Sequence, residues 1–292
     1  MSLSQLERSR SDVVVLIVFE SSRACDHSYS SVPQGNPELQ GQAIASIASY
    51  ISDAAYFMVL AGSTWTHEWG DLRDVLAWAS RGWCRLEQLA NGLSPRETPL
   101  IICQSSTNVV TYGRGGMEGR SWLHAAVGLG SFTVDADRQA LGPVIDELIE
   151  VSKANALASG DLTTYRLLHS HRAHLLRGTG RQVEEEPTLE AWLDAMRFAL
   201  PTDGQSTGMC PLRYAVFTGR QDLVEALLTA TPRLDVEAPL TKMYGDYGMM
   251  KGETVLCAAA RHSDNPPMLK LLLDAKANPL RKCTLGWSSL FW

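Results

Sequence analysis

The sequence predicts two architectures in one chain: an N-terminal α/β domain followed by an all-α array of repeated helix pairs. The first half alternates short runs of β-branched and apolar residues with stretches of helical periodicity. That alternation is typical of a parallel sheet with helices on both faces. The second half repeats leucine-rich helical segments at intervals close to the period of stacked-repeat proteins. With 292 residues, the chain has room for about two domains.

Charge and composition narrow the classes of partner. Hydrophobic residues make up 45% of the chain and charged residues 20%, so the chain can bury a core. The net charge of -6 disfavours binding to phosphate backbones. The longest uninterrupted apolar run, residues 13–19, is far shorter than the ~20 residues of a membrane-spanning helix. The sequence therefore predicts neither a nucleic acid nor a membrane as partner.

The six cysteines indicate a reducing compartment. They contain no C-x-x-C pair, and several lie within apolar runs, as buried thiols do. A cytoplasmic location is therefore predicted. The run at 13–19 follows Arg8 and Arg10, as in a signal peptide, but acidic residues on both sides favour a buried first strand instead.

The elements of the first half follow in order after a flexible N-terminus at 1–10. The predicted elements are a strand at 13–19, a helix at 38–53, a strand at 55–61, a helix at 82–93 and a strand at 99–103. Parallel sheets bind ligands beyond the carboxyl ends of their strands. Those ends are the loops that follow Phe19, Ala61 and Cys103.

The helix at 82–93 carries the most specific motif of this half. Ser80, Trp83, Cys84 and Glu87 form the pattern S-x-x-W-C-x-x-E between two predicted strands. This segment resembles that of Toll/interleukin-1 receptor (TIR) domains. The resemblance implies a flavodoxin-like parallel sheet over residues 11–150, self-association in signalling complexes and, in some branches, cleavage of NAD.

A second, fainter resemblance lies earlier in the chain. The loop at 28–34 is similar to the I-x-Q loop of heterokaryon-incompatibility domains, which are thought to share the TIR fold. That loop follows the first predicted strand, at the edge where a parallel sheet binds its ligands.

Two interpretations of Glu87 stay open. As a catalyst of TIR type, Glu87 would orient the ribose of NAD and stabilise the positive charge that develops as the glycosidic bond breaks. NAD would then be a substrate, and no cofactor is predicted. As a structural residue, Glu87 caps the helix or pairs with Arg85, while Trp83 and Leu86 pack the helix on the sheet. The structural role is favoured because no second catalytic residue is recognisable.

Two further motifs suggest a phosphate site and a metal site, but each also has a simpler structural explanation. The glycine-rich segment 113–119 matches neither G-x-G-x-x-G nor the Walker pattern, so a surface loop is predicted. His169, His171 and His174 cluster on one helical segment, where a metal site is conceivable. No cysteine or carboxylate accompanies them closely, so a solvated helix face and no metal are predicted.

Bridging helices are predicted at 151–200. A long helix at 135–158 leads into residues 156–168, which have the turn and second-helix rhythm of a degenerate repeat. Residues 178–187 form a linker, and its glutamates at 184–186 favour the N-terminal end of a helix at 188–200.

The array proper is predicted at 201–292. Residues 252–279 pair a short helix with a leucine-rich helix that closes on Asn278 and Pro279, and this stretch resembles an ankyrin repeat. The repeat before it has Cys210 where the family has Thr and Arg213 where it has His. The predicted repeats are 208–237, 252–281 and the start of another at 286, and a chain that ends inside a repeat indicates a fragment of a longer array.

An insertion separates these repeats. Leu256 and Leu290 lie about one repeat of ~33 residues apart, whereas Leu212 and Leu256 are about eleven residues further apart than that. The insertion, within residues 238–251, contains residue types that interfaces favour: Met243, Tyr244, Tyr247, Met249 and Met250.

Insertions in stacked repeats often lie on the binding face, although a neutral insertion costs little entropy. We therefore expect a signalling or interaction scaffold whose partner is another protein, with NAD hydrolysis through Glu87 as the alternative.

Overall fold

The computed structural model describes residues 13–18, 36–62, 74–96, 98–112, 116–117, 120–262 and 265–291. The chain forms two compact units, Met1–Val144 and Ile145–Trp292. The predicted loop at 28–34 lies outside the described residues, and so do 63–73 and all of the glycine-rich segment except Gly116–Met117, a two-residue strand.

Four strands form the main sheet of the first unit. They are β1 (Val13–Val18), β2 (Ala54–Leu60), β3 (Leu100–Cys103) and β4 (Val109–Tyr112), in that order across the sheet. The first three are parallel, and β4 pairs antiparallel with β3. In the register of the central strand, Phe57 lies between Val15 and Leu100. The α/β class predicted for this half agrees with this arrangement.

Strands β2 and β3 are buried on both faces, as their continuous apolar sequences predict. Phe57 and Ile102 point to one face and have exposed fractions of 0% and 2%. Met58, Ile101 and Cys103 form a buried cluster on the other face. Strand β4 alternates between exposed and half-buried side chains, which suits the edge of a sheet.

Three helices follow the first strand. They are α1 (Pro37–Asp53), α2 (Val75–Ser80) and α3 (Gly82–Leu93). Helix α1 begins where predicted because Asn36 accepts hydrogen bonds from Glu38 N–H and Leu39 N–H, at 3.0 and 3.2 Å. Proline at its first position suits a helix start. Helices α1 and α3 pack against each other, so both lie on one face of the sheet.

The strand order corrects the prediction of a flavodoxin-like, TIR-like sheet. In the flavodoxin-like order the first strand lies between the second and third, whereas here β2 lies between β1 and β3. Each connection advances by one strand in the same direction. Because such crossovers are right-handed, both place their helices on the same face, which explains the contact between α1 and α3.

Helix α3 is held by close contacts at both ends. A Cβ atom on Gly82 would collide with the ring of Phe132, and one on Gly92 would collide with the indole of Trp122. Gly130 approaches the backbone of Gly82 just as closely. Nine of the twelve residues of α3 are buried, including polar ones. The helix is therefore enclosed by protein on several sides.

Seven helices complete the chain as described. They are α4 (Ala136–Ser159), α5 (Leu162–Leu175), α6 (Leu189–Ala195), α7 (Pro211–Thr218), α8 (Gln221–Ala230), α9 (Val255–His262) and α10 (Pro266–Asp274). Helix α4 begins in the first unit and ends in the second.

Two rows of helices build the second unit. Helix α7 packs against α5 on one side and α9 on the other, and α8 packs against α6 and α10. A short 3-10 helix, Ser289–Phe291, packs against α9. The rows place α7 with α8, and α9 with α10, as neighbouring helix pairs, which is the arrangement expected of stacked repeats.

In the bridging segment, the helices take positions in the two rows that differ from those the sequence predicts. Helix α5 lies in the row of first helices, although residues 156–168 suggested a turn and a second helix. Helix α6 takes the second-helix place in the other row and is capped by Thr188, whose hydroxyl accepts from Ala191 N–H at 3.2 Å. It ends well before residue 200 because Arg197 adopts a left-handed conformation with φ of 58°.

Candidate partner-binding site

The predicted insertion folds as a short hairpin, residues 238–251, which we call the finger. At its base, Leu240 N–H donates to the Glu253 carbonyl at 3.0 Å. Near its tip, Tyr244 and Met249 exchange two backbone hydrogen bonds of 2.9 and 3.1 Å. Backbone hydrogen bonds at its base and near its tip therefore give the finger a defined shape, unlike an open loop.

The five predicted contact residues divide between the surface and the core of the finger. Met243 is 62% exposed, and Tyr244 and Met250 are half-buried. Tyr247 and Met249 are only 7% and 1% exposed. The structure therefore brings all five into one hairpin but leaves only the first three with surface to offer a partner.

Of the two buried residues, Tyr247 fixes the finger to the array. The Tyr247 hydroxyl lies 2.5 Å from the Thr164 hydroxyl on α5. On the outer side, the Lys242 ammonium lies 4.8 Å from the centre of the Tyr244 ring, within cation–π range. Lys242, Met243 and Tyr244 consequently form a small surface with one cation, one flexible apolar side chain and one aromatic ring.

A buried ion network lies beneath the finger. Arg213 on α7 is fully buried, and its guanidinium bonds to the Glu253 carboxylate at 3.2 Å and to the Gly208 carbonyl at 2.6 Å. The opposite oxygen of Glu253 pairs with Arg261 of α9 at 3.2 Å. Arg261 also donates to the Gly248 carbonyl in the finger at 2.6 Å. One carboxylate thus connects two neighbouring helix pairs and the finger.

Sequence reasoning identified only part of this network. In the sequence, Arg213 is recognisable only as a departure from the usual histidine. Burial does lower the pKa of the guanidinium, but the Glu253 carboxylate opposes that effect. Three guanidinium hydrogen bonds replace the side-chain bonds that the usual residue would make. The available signal was the occurrence of an arginine inside the apolar run 209–217.

Glu87 does not lie in an open cleft. Its exposed fraction is 5%, and Cys84 beside it is 3% exposed. The Trp83 indole N–H donates to the Asp137 carboxylate at 3.2 Å, which joins α3 to the start of α4 within the first unit. Of the motif residues, Cys84 and Glu87 therefore lie in a packed interior, whereas Trp83 is half-buried and Ser80 is exposed. A ribose could not reach Glu87 without movement of the surrounding chain.

The histidines of α5 are not the solvated face that the sequence predicted. His171 is 1% exposed, and its Nδ1 lies 2.9 Å from the Leu167 carbonyl. Burial, with a smaller effect from His174, lowers the pKa of His171 to about 3. His169 is also largely buried and bonds to Glu186 at 2.9 Å. Burial lowers its pKa although the Glu186 carboxylate acts in the opposite direction.

A small cavity adjoins His169 and Glu186. Its volume is about 60 Å³, and Trp192 and Arg220 also line it. Pockets for nucleotides and other cofactors usually exceed about 300 Å³. Within the ranges that the structure describes, no three histidine, cysteine or acidic side chains are arranged to hold a metal ion.

Comparisons with known proteins identify one segment. Residues 251–283 match the model of the ankyrin repeat family. Neither the curated proteins nor the solved structures contain a significant match to the chain. An ankyrin repeat is therefore present over α9, α10 and the turn that follows. None of the helices in the described ranges combines the length and apolarity needed to cross a bilayer.

Proposed function

We propose that this chain is an interaction scaffold of a signalling type, which binds another protein through its stacked helix pairs and the finger. The ankyrin repeat at 251–283 carries the proposal because such repeats generally serve protein binding. The finger adds a fixed hairpin whose outer side exposes Met243 beside Lys242 and Tyr244. Methionine and tyrosine are residues that interfaces favour.

The cytoplasm is the compartment that we propose. In the described part of the chain, Cys84, Cys103, Cys210 and Cys257 are buried free thiols, and Cys283 is a half-buried one. Unpaired thiols of this kind suit a reducing environment, where disulfides seldom persist.

For the first unit we propose a role in assembly, including self-association, in preference to NAD cleavage. The burial of Glu87 supports this preference because a catalytic carboxylate must contact its substrate. The surrounding α/β architecture does not by itself carry an activity.

A point substitution tests the binding role better than removal of the finger. Deletion of residues 240–250 would remove the core side chains of Leu240 and Met249, each 1% exposed, and would disturb the array. Met243→Asp changes an exposed side chain, so we expect stability to change by less than about 0.5 kcal/mol. Leu200→Asp is a matched control because Leu200 is 57% exposed and lies outside the finger.

The full chain serves as bait in extracts of the cells that express it. We expect the wild type and Leu200→Asp to retain the same partners and Met243→Asp to lose them. Retention of every partner by Met243→Asp would exclude the finger as the binding surface.

A further inference from the structure

The small cavity beside His169 lies between several segments of the second unit. Its walls come from helix α5, the segment 183–186, helix α6 and the turn at 218–220 between α7 and α8. Its volume of about 60 Å³ is several times the about 10–15 Å³ that one water molecule requires. The cavity can therefore hold a polar group of a few heavy atoms.

The indole of Trp192 gives this cavity a buried hydrogen-bond donor. Trp192 lines the cavity and is only 1% exposed. Its indole N–H donates to no atom of the described residues. An indole N–H can only donate, and a buried donor without an acceptor is unfavourable. A group that enters the cavity with an acceptor would therefore gain a hydrogen bond that the described chain leaves open.

His169 gives the same cavity an acceptor. Its Nε2 lies 2.9 Å from the Glu186 carboxylate, which can only accept, so the ring carries a proton on Nε2. Burial lowers the pKa of His169, although the Glu186 carboxylate acts in the opposite direction, and the ring is therefore neutral at about pH 7.5. Its Nδ1 is then an acceptor, and within the described ranges no group donates to it.

Acidic side chains lie around this donor and acceptor. Glu184 and Glu185 also line the cavity, and both are exposed. The two arginines of the lining, Arg172 and Arg220, are already paired with carboxylates. The surroundings of the cavity therefore repel an anion and attract a cation.

We propose that this cavity binds the side-chain carboxamide of a glutamine or asparagine in a basic segment of a partner protein. This inference rests on the proposed protein-binding function and adds a second contact of defined chemistry. The carboxamide oxygen would accept from the Trp192 indole N–H, and its NH₂ group would donate to His169 Nδ1. Lysine or arginine side chains next to it would pair with Glu184 and Glu185.

Other small groups fit the cavity less well. A carboxylate cannot donate to the neutral ring of His169, and Glu184 and Glu185 would repel it. A hydroxyl group or a water molecule can both donate and accept, but it fills only a small part of the volume. A carboxamide carries its donor and its acceptor on separate atoms and occupies more of the space.

Fluorescence anisotropy with the full chain measures the predicted selectivity. The probe is a labelled peptide with one glutamine between two pairs of lysines, and two counterparts carry leucine or glutamate in place of the glutamine. We expect saturable binding of the glutamine peptide at about pH 7.5. The leucine and glutamate peptides should bind at least about tenfold more weakly, because each leaves a buried polar atom without a partner.

Nuclear magnetic resonance of the chain labelled in its tryptophans places the peptide. The chain has eight tryptophans, and loss of one indole N–H signal in Trp192→Phe identifies that of Trp192. The glutamine peptide should shift this signal saturably. The affinities are measured on the wild type and on variants of exposed residues, so they decide the question even if Trp192→Phe does not fold.

A matched pair of double variants tests the acidic surroundings. Glu184→Gln/Glu185→Gln should weaken binding of the glutamine peptide about fivefold, because it removes two attractions to the lysines. Asp235→Asn/Asp274→Asn removes the same charge at exposed positions that do not line the cavity, and it should alter affinity by less than about twofold. Equal weakening by the two double variants would overturn the proposal.

The remaining outcomes are distinct. Equal binding of the glutamine and leucine peptides would overturn the proposal, and binding of neither would leave water as the occupant and overturn it as well. Acetamide that shifts the Trp192 signal at the same concentration as the peptide would overturn it in favour of a free small amide. If the glutamine peptide fails while partner capture is still lost in Met243→Asp, only this inference fails. Partner capture that survives Met243→Asp would exclude the finger, whatever the peptide does.

Discussion

Removing the negative charge of Glu253 should unfold the array at much lower denaturant concentration. The Glu253 carboxylate lies 3.2 Å from the guanidinium of Arg213 and 3.2 Å from that of Arg261. Glu253→Gln keeps the shape of the side chain but removes the negative charge that lies beside the fully buried Arg213 guanidinium. Breaking a buried ion pair by neutralising one partner costs about 3–5 kcal/mol.

The remaining oxygen of the glutamine would still accept one hydrogen bond. We therefore expect Glu253→Gln to lower the free energy of unfolding by about 3 kcal/mol, the lower end of that range. This loss is a large part of the about 5–15 kcal/mol that stabilises a typical domain.

Urea unfolding followed by circular dichroism at neutral pH measures this cost. Glu225→Gln is the matched control because Glu225 is exposed, and its carboxylate only accepts a hydrogen bond from Gln221 at 2.8 Å. It should cost less than about 0.5 kcal/mol. Arg213→Met/Glu253→Gln should cost less than the sum of its single variants, since the two side chains are in contact. A cost for Glu253→Gln below about 1 kcal/mol, close to the control, would refute the structural role assigned to the network.

Three other perturbations test separate parts of the molecule. The pKa of His171 is about 3 in the folded chain and about 6.5 in the unfolded chain. The unfolded state therefore binds more protons as the pH falls below about 6.5. Between pH 7 and pH 5, His171 should lower the free energy of unfolding by about 2 kcal/mol. Urea midpoints at both pH values should differ less in His171→Leu, and an unchanged pH dependence would contradict the buried neutral imidazole. In a thermal unfolding assay, Gly82→Ala should destabilise the protein by about 1–3 kcal/mol because its Cβ atom would collide with Phe132. In the same assay, Gly41→Ala should stabilise the protein by about 0.5–1 kcal/mol, because Gly41 lies on α1 with open space around it. Equal effects of the two substitutions would contradict the packing of α3. Purified wild type should release no nicotinamide from NAD, and release that Glu87→Gln abolishes without loss of fold would revive the enzymatic alternative.

The sequence predicts that the finger exists, but not which of its side chains face the array and which face solvent. Leucine spacing located the insertion because repeat positions recur at a fixed interval. Whether Tyr247 faces a partner or the array depends on its hydrogen bond to Thr164, 83 residues earlier in the chain. A contact so distant leaves no local pattern. The Arg213–Glu253 pair, 40 residues apart, was missed for the same reason.

In the first unit too, features that depend on local sequence could be predicted, and features that depend on distant contacts could not. The three parallel strands were predicted because continuous apolar runs of β-branched residues are a local signal. The edge strand β4 was not predicted, and its alternation of exposed and half-buried side chains lacks such a run. Their order was not, because one sequence of alternating strands and helices suits several orders, and the direction of each crossover depends on tertiary packing. The contact between α1 and α3 is such a packing preference. A resemblance based on one helix therefore carried the wrong sheet topology with it.

Packing also accounts for the motif that suggested an enzyme. Along α3, Trp83 bonds to Asp137, and Arg85 bonds to the carbonyls of Ala79 and Ala126 at 2.9 and 3.0 Å. A tryptophan, an arginine and small or apolar residues at these spacings join one helix to three neighbouring segments. The same residue types would be selected by that packing in the absence of any substrate. Glu87, buried on this helix, therefore supports NAD chemistry only if α3 can open, and the interlocked contacts of Gly82 and Gly92 oppose such a movement.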